Sequence, residues 1–340
     1  MRKSRGVSER KRSSQLDLLV DLDQGEDPRT LVLSRASDWL RRELESFDQR
    51  GWKKDLDEAR RTALAELALV SLLLRRLPPA AGDYGWLVEP ATRLLVRAFR
   101  RKQVHGFLFE GPVAAFAGHL LIWLALPPEI AESIVTRSRL ERLLDERNVT
   151  RVERTPTRLL ELRYVLDLAD LRHELPGWRA LYRRTLAASR PVTASLEPSD
   201  IYAITHTVFY ITDFGREPGR ALSSAERVRL IQLTDELRRR TTRAGHWDLV
   251  AELILTRCCL AGAPSKADGV GWEALARAQA ADGTFLTPAR QHLLESLASE
   301  PEERRELIFL ASYHTCLVTI LAGAVAAWLE AAGRRRANRA

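Results

Sequence analysis

Residues 201–215 read IYAITHTVFYITDFG, a stretch with one charged residue in a chain where 29% of residues are charged. Ser199 and Asp200 precede it, where the N-terminal cap of a helix is expected, and Gly215 stands where a helix would end. We therefore predict a helix over residues 201–214. Because this helix is apolar around most of its circumference, it should be buried.

The polar and aromatic side chains of this predicted helix fall along one stripe. Tyr202, His206 and Tyr210 are spaced four residues apart, one helical turn each. Asp213 continues the stripe, and Phe209 lies beside it. Buried polar groups need hydrogen-bond partners. Two interpretations follow: a core helix whose polar side chains are satisfied locally, or a stripe that lines an internal cavity.

The cavity interpretation makes a geometric prediction. Seven residues are two helical turns, so His206 and Asp213 would share one face about 10 Å apart. Tyr210, one turn from each, or a water would have to bridge them. We also expect His314, from a second apolar helix, to approach the same cavity. In the competing arrangement, Asp213 lies in solvent near Gly215 and His206 bonds a backbone carbonyl.

Composition indicates a globular chain in a reducing compartment. The 340 residues suffice for one large domain or two ordinary ones, and 45% of them are apolar. The three cysteines, Cys258, Cys259 and Cys316, provide no disulfide framework. The first fifteen residues carry charge with no apolar stretch behind it, so they do not resemble a signal peptide. We therefore expect a cytoplasmic protein.

The net charge of +8 is concentrated at the two ends of the chain. Residues 1–15 carry a net charge of +5 and the C-terminal tail +4, which leaves residues 16–333 at −1. A near-neutral body with basic ends does not indicate a specific nucleic-acid-binding face. We expect a charged leader at 1–27, a single all-α domain at 28–333 and a basic tail at 334–340, with both ends mobile.

Apolar residues at three- and four-residue spacing run through nearly all of the chain and predict an all-α fold. No alternating strand pattern or Asn-Gly hairpin accompanies them. The predicted helices cover residues 31–47, 56–77, 84–102, 113–126, 129–146, 156–171, 178–188, 201–214, 225–242, 247–260, 271–281, 288–297 and 302–329.

The last of these predicted helices contains 23 consecutive uncharged residues, 307–329, with Tyr313 and His314 near its start. This length is sufficient for a membrane span. An inner helix of a large all-α protein has the same composition, however, because it is apolar on every side. The polar residues within the stretch favour the inner-helix interpretation, so we expect no membrane association.

A helix ending at Gln279, followed by Asp282, Gly283 and aromatic Phe285, resembles the Gln-x-x-Asp-Gly-x-aromatic motif of the α/α-toroid superfamily. That superfamily includes squalene–hopene cyclases, protein prenyltransferase β-subunits and lanthionine cyclases. The resemblance implies a double ring of alternating inner and outer helices, or a related helical array. The segments ITHTVFYITDFG (204–215), WDLVAELIL and YHTCLV also resemble an uncharacterised actinobacterial family.

The toroid resemblance also raises the question of a zinc site. Asp213, Cys258 or Cys259, and His314 are the available ligands, but the Cys-His pair of lanthionine cyclases and the Asp-x-Cys pair of prenyltransferases are both absent. The Asp-rich motifs of terpene cyclases, phosphate-binding loops and Gly-x-Ser-x-Gly are absent as well. We therefore predict no metal and no cofactor, with zinc on those residues as the alternative.

One acidic residue allows two interpretations. Glu252 lies in an apolar run four residues after Asp248. It could be an acid within the pocket or a charged residue on an outer face, and the spacing with Asp248 favours the outer face.

Two functional hypotheses remain. In the first, the chain is an enzyme: His206, Tyr210, Asp213, Tyr313 and His314 perform general acid–base catalysis, and Tyr202, Phe209 and Glu252 bind the substrate. The toroid resemblance then implies a peptide-tailoring cyclase or lyase of an actinobacterial natural-product pathway, with partner enzymes of that pathway. The alternative substrate under this enzyme hypothesis is a small hydrophobic terpenoid. In the second hypothesis, the chain is a non-catalytic scaffold that binds a peptide or protein.

Overall fold

The computed structural model describes residues 26–48, 57–286, 294 and 301–337, and within these ranges the fold is all-α. No strand occurs among the described residues; one isolated antiparallel bridge joins Gln279 to Phe285. The helices are α1 Pro28–Glu43, α2 Asp57–Arg76, α3 Gly85–Phe99, α4 Lys102–His105, α5 Phe107–Glu110, α6 Phe116–Ala125, α7 Pro128–Ile134, α8 Arg137–Glu146, α9 Pro156–Leu168, α10 Trp178–Tyr182, α11 Pro198–Ile211, α12 Ser224–Ala244, α13 Trp247–Ala261, α14 Lys266–Ala278 and α15 Pro301–Ala337.

The observed helices follow the predicted ones, with differences mainly at their ends. The predicted helix 129–146 is two helices, because Val135 is extended and Thr136 caps a new start with its side chain. α15 includes the first four residues of the predicted basic tail. The predicted helix 288–297 and the predicted leader fall almost entirely outside the described residues.

Six helices contact one another in a closed order. α2 packs on α6, α6 on α9, α9 on α11, α11 on α13, α13 on α15, and α15 returns to α2. Other helices lie against neighbouring members of this series: α3 contacts α2 and α6, α10 contacts α9 and α11, and α14 contacts α13. The buried apolar side chains of these helices form one continuous core.

α11 begins earlier and ends earlier than the sequence predicted. Pro198 occupies its first turn, and Glu197 and Asp200 form a reciprocal capping box, so the cap lies two residues before Ser199. The helix ends at Ile211, before Asp213. Asp213, Phe214 and Gly215 then follow with φ of 46°, 51° and 89°, which turns the chain sharply away from the helix axis.

The Gln279–Phe285 segment joins three helices. Gln279 caps the end of α14, and its buried amide donates hydrogen bonds to the backbone oxygens of Val32 on α1 and of Gly283. Gly283 has φ of 89° and packs so closely on α1 that an added Cβ would lie 2.3 Å from the backbone oxygen of Arg35. The Cys316 thiol of α15 donates to the Gly283 oxygen. This turn therefore holds α14 against α1 and α15.

α15 is the one helix among the described residues that is long and apolar enough by itself to cross a membrane. In its most apolar window, 78% of residues are buried within the protein. The segments Lys102–Glu110 and Val113–Ala125 pass the same test only as a pair, and the pair is bent by 117°. Burial of this kind is typical of the core helix of a large α-helical domain.

Candidate functional site

Glu252 lies at the centre of the candidate site. It is buried, with 1% of its surface exposed, so the prediction that it occupies an outer face is wrong. Its neighbours on α13, from Leu249 to Leu255, are buried on every side of the helix, which leaves no outer face for it. One carboxylate oxygen accepts a hydrogen bond from the Thr205 hydroxyl of α11. The other oxygen faces two histidines.

His206 on α11 and His314 on α15 meet at that second carboxylate oxygen. The distance from Glu252 Oε1 to His206 Nε2 is 3.3 Å, and to His314 Nε2 it is 3.1 Å. The other nitrogen of His314, Nδ1, lies 2.7 Å from a carboxylate oxygen of Glu66 on α2. A hydrogen-bonded chain therefore runs from Glu66 through His314 and Glu252 to His206, and it connects four of the helices in the closed series.

The hydrogen-bonded chain of Glu66, His314, Glu252 and His206 shifts the pKa values of its two histidines and of Glu252. Burial disfavours charge on His206, but the attraction of Glu252 outweighs it and raises the pKa of the imidazole above 6.5. Burial acts in the same direction on His314, and the nearby charge of Glu66 with the Glu252 hydrogen bond raises its pKa well above 6.5. Burial alone would raise the pKa of Glu252, yet the two histidines lower it to about 2. The contacts of the site therefore favour imidazolium–carboxylate pairs.

Both histidines remain accessible although Glu252 does not. The side chains of His206 and His314 are 32% and 28% exposed, and Glu66 is 28% exposed. The site therefore presents two imidazoles to solvent over a buried carboxylate. Both nitrogens of His314 face carboxylates, so proton transfer to a bound molecule is possible from His206.

Three aromatic residues of α11 surround His206. The Tyr202 and Tyr210 rings each lie 6.1 Å from the His206 ring, and the Phe209 ring lies 5.9 Å from it. Tyr202 also approaches His314, at 6.4 Å, and donates its hydroxyl hydrogen to Asp248 at the start of α13. The predicted stripe of Tyr202, His206 and Tyr210 is therefore one wall of the site.

Tyr313 belongs to a different aromatic group. Its ring stacks on Phe309 at 5.4 Å and meets Phe47 edge-on at 5.9 Å. It lies 6.4 Å from the His314 ring. Tyr313 is thus next to the site, and its principal ring contacts are within the core.

Asp213 is separate from the histidines. Its carboxylate accepts two hydrogen bonds from the Arg76 guanidinium, at 2.8 and 2.7 Å, and one from the Tyr164 hydroxyl at 2.8 Å. The predicted two-turn spacing from His206 fails because α11 ends before Asp213. The competing expectation of a solvated Asp213 also fails, since the residue is 3% exposed.

Comparison with known proteins identifies a family. The family described as a domain of unknown function (DUF6895) matches residues 33–324, which include Glu66, His206, Glu252 and His314. The chain belongs to this family. Comparisons with curated proteins and with solved structures find no match. Geometry and chemistry are therefore the basis on which the candidate site of this DUF6895 member is assigned.

The alternative zinc ligands do not come together. Asp213 is bound to Arg76, and His314 is bound to Glu66 and Glu252. Burial and Asp268 raise the pKa of the Cys258 thiol to about 12, and burial raises that of Cys259 well above its ordinary value. Within the described ranges, no group of three or more His, Cys, Asp and Glu side chains has a geometry that could hold a metal.

Sequence reasoning missed Glu66, Thr205 and Arg76. Glu66 stands in the run AELALV of α2, where a charged residue between apolar ones is typical of an ordinary amphipathic helix. Thr205 and Arg76 carried no signal either. For Glu252 a signal was present, because the apolar residues on both sides of it leave no polar face on α13.

Proposed function

We propose that this protein is an enzyme that uses general acid–base catalysis, with His206 as its proton donor and His314 as the positioning residue that shares Glu252 with it. The observation that carries the proposal is the pair of accessible imidazoles on one buried carboxylate. A raised pKa favours the protonated form of each ring, and the exposure of His206 lets it reach a bound molecule. The carboxylate of Glu252 stabilises the charged form and fixes the orientation of both rings.

The hydrogen-bonded chain of Glu66, His314, Glu252 and His206 also offers a proton acceptor at its far end. When His206 gives its proton to a substrate, Glu252 remains paired with the imidazolium of His314. Glu66, at the accessible far end, can accept a proton from a substrate or from water, and its hydrogen bond with His314 Nδ1 holds it in place. The chain of Glu66, His314, Glu252 and His206 can thus serve as an acid at one end and a base at the other.

We also propose that the helices form a double ring, with the closed series of α2, α6, α9, α11, α13 and α15 inside. Two observations support this arrangement: the contacts of that series return to their start, and other helices contact its neighbouring members. The turn at Gln279 and Gly283 fastens α14 to α1, as the resemblance to α/α-toroid proteins implies for such a motif. Glu66, His206, Glu252 and His314 would then line the centre of the ring.

For the reaction, we propose cyclisation or addition on a peptide in an actinobacterial natural-product pathway, in the cytoplasm and without a metal or cofactor. The resemblance to lanthionine cyclases supports the peptide, and the acid–base chain supports the reaction type. The aromatic wall of Tyr202, Phe209 and Tyr210 would suit a small hydrophobic substrate equally, which keeps a terpenoid cyclase as the alternative within the same fold.

One observation favours a non-catalytic scaffold. The charges of the four-residue chain balance, because two carboxylates face two imidazoliums, and Glu252 is hydrogen-bonded through both of its oxygens. A balanced, satisfied network can simply fix the positions of four helices. Under that interpretation the histidines stabilise the fold and the surface of the protein binds a peptide or protein partner.

Replacement of either histidine distinguishes the enzyme proposal from the scaffold interpretation. We expect a strain that lacks the gene to lose a peptide or small-molecule product that mass spectrometry detects, and the wild-type gene to restore it. His206→Asn and His314→Asn should each restore less than about one hundredth of it, because general acid–base groups contribute roughly 10²–10⁴-fold. His246→Asn is the control, since His246 precedes α13 with no capping hydrogen bond from its side chain.

Two results would contradict the enzyme assignment. One is full restoration of the product by both histidine variants, with melting curves that show them folded. The other is a gene deletion that changes no product at all, which would favour the scaffold.

A further inference from the structure

Tyr210 has a property that the acid–base chain does not explain. The residue is 6% exposed, yet its hydroxyl makes no hydrogen bond to any described residue. The other phenols of this region are partnered: Tyr164 donates to Asp213 and Tyr202 to Asp248. Because no described protein group uses this hydroxyl, it is free to hydrogen-bond a bound molecule.

The Tyr210 side chain is directed at the candidate site. Its ring meets the His206 ring edge-on, with centroids 6.1 Å apart. Burial raises the pKa of Tyr210 well above 10, and the charges of Glu161 and Glu252 raise it further, while that of Arg158 lowers it. Tyr210 is therefore a neutral phenol, and its O–H group is available as a donor.

His206 offers a second donor next to it. Its Nε2 is bound to Glu252, whereas its Nδ1 makes no hydrogen bond within the part of the chain that the structure describes. In the imidazolium form Nδ1 carries a hydrogen. The site thus has two adjacent donors, the Tyr210 hydroxyl and His206 Nδ1, and the complementary ligand atom is an acceptor.

We propose that Tyr210 and His206 bind the carbonyl oxygen of a neutral acyl compound, an amide or an ester; this inference rests on the proposed function and names the substrate class for the same site. Two neighbouring donors can bind a carbonyl oxygen and stabilise negative charge that develops on it. The cations near the pair already have carboxylate partners, since Glu252 faces His206 and His314 and Glu161 pairs with Arg158, which disfavours a carboxylate or phosphate. The rings of Tyr202 and Phe209 provide an apolar wall for the substituent.

Three probes of one shape test the proposal on the full-length protein. Benzamide carries a neutral carbonyl, benzoate an anionic one, and benzylamine a cation with no carbonyl. We expect benzamide to bind more tightly than the other two and to shift the NMR signals of the His206 ring. Tyr210→Phe should weaken the binding of benzamide about tenfold, as expected for the loss of one hydrogen bond to a ligand. Tyr182→Phe is the control, since Tyr182 is buried beside Arg229 on other helices.

The outcomes distinguish this subsite from the proposed function. Equal or tighter binding of benzoate or benzylamine would overturn the carbonyl assignment, and so would benzamide binding unchanged by Tyr210→Phe. No shift of His206 at the solubility limit of benzamide would also overturn it. If the Tyr210→Phe protein fails to fold, the affinities of the three probes for the wild-type protein decide whether the carbonyl assignment holds. Binding requires no turnover, so these results are independent of the histidine variants in the gene-deletion experiment.

Discussion

Glu252→Ala should lower the free energy of unfolding by about 3–5 kcal/mol at pH 6, the largest loss that we expect from any single substitution in the site. The carboxylate is buried and accepts hydrogen bonds from Thr205, His206 and His314. Without it, two imidazoles that are protonated at this pH face each other with no counter-ion between them. Urea denaturation of the wild-type protein and the variant measures the difference.

The pH dependence of this loss follows from the pKa shifts. The histidine contribution to stability is fully present below pH 6.5 and is lost as pH rises through the raised folded-state values. The Glu252 contribution is present above pH 4.5 and is lost as pH falls towards about 2. The stabilising effect is therefore largest between about pH 4.5 and 6.5, and the difference between wild type and Glu252→Ala should shrink above that window.

Glu273→Ala is the matched control for this experiment. Glu273 is on α14, and its only described ion pair, to Arg277, is at the surface. We expect its effect to stay within about 0.5 kcal/mol at every pH. A Glu252→Ala protein as stable as the Glu273→Ala protein at pH 6 would show that the two histidines are not charged in the folded state.

Asp213→Asn should lower the free energy of unfolding by about 3 kcal/mol. The substitution removes the charge that faces Arg76 and keeps a side chain that tolerates φ of 46°. The loss should lie at the lower end of the range for buried ion pairs, because the Arg76 side chain is 25% exposed and water can hydrate part of it. Urea denaturation again measures the effect.

The same variant tests whether Asp213 is independent of the histidines. Asp38→Asn is its control, since Asp38 pairs with Arg41 at the surface. We expect Asp213→Asn to leave the titration of His206 and His314 unchanged, because Asp213 contacts Arg76 and Tyr164. A change in either histidine pKa, or a stability equal to that of the control, would contradict the separation of the two clusters.

The helical fold and half of the site could be predicted from sequence because both depend on local patterns. The four-residue spacing of Tyr202, His206 and Tyr210 determines one wall of the site, and the apolar stretch before and after His314 determines a buried helix. The partners of these residues depend on which helices pack together. Glu66 is 140 residues from His206 in sequence and reaches it only through His314 and Glu252.

The position of Asp213 could not be predicted because the apolar periodicity of the sequence does not determine where α11 ends. The apolar pattern continues to Phe214, but the helix ends at Ile211 and two non-glycine residues adopt left-handed backbone conformations. Such conformations are unfavourable for Asp and Phe, and tertiary contacts have to compensate for them. Arg76 and Tyr164 provide contacts of this kind, and they come from α2 and α9.

An NMR titration of the His206 and His314 rings in the wild-type protein tests the proton-donor proposal most directly. We expect both imidazoles to be protonated at pH 7 and His314 to keep its proton well above the ordinary value of 6.5. Replacement of Glu252 by Gln should lower both pKa values. Titration of either ring at or below 6.5 in the wild-type protein would contradict the account, because a neutral imidazole on Glu252 could not act as the proposed proton donor.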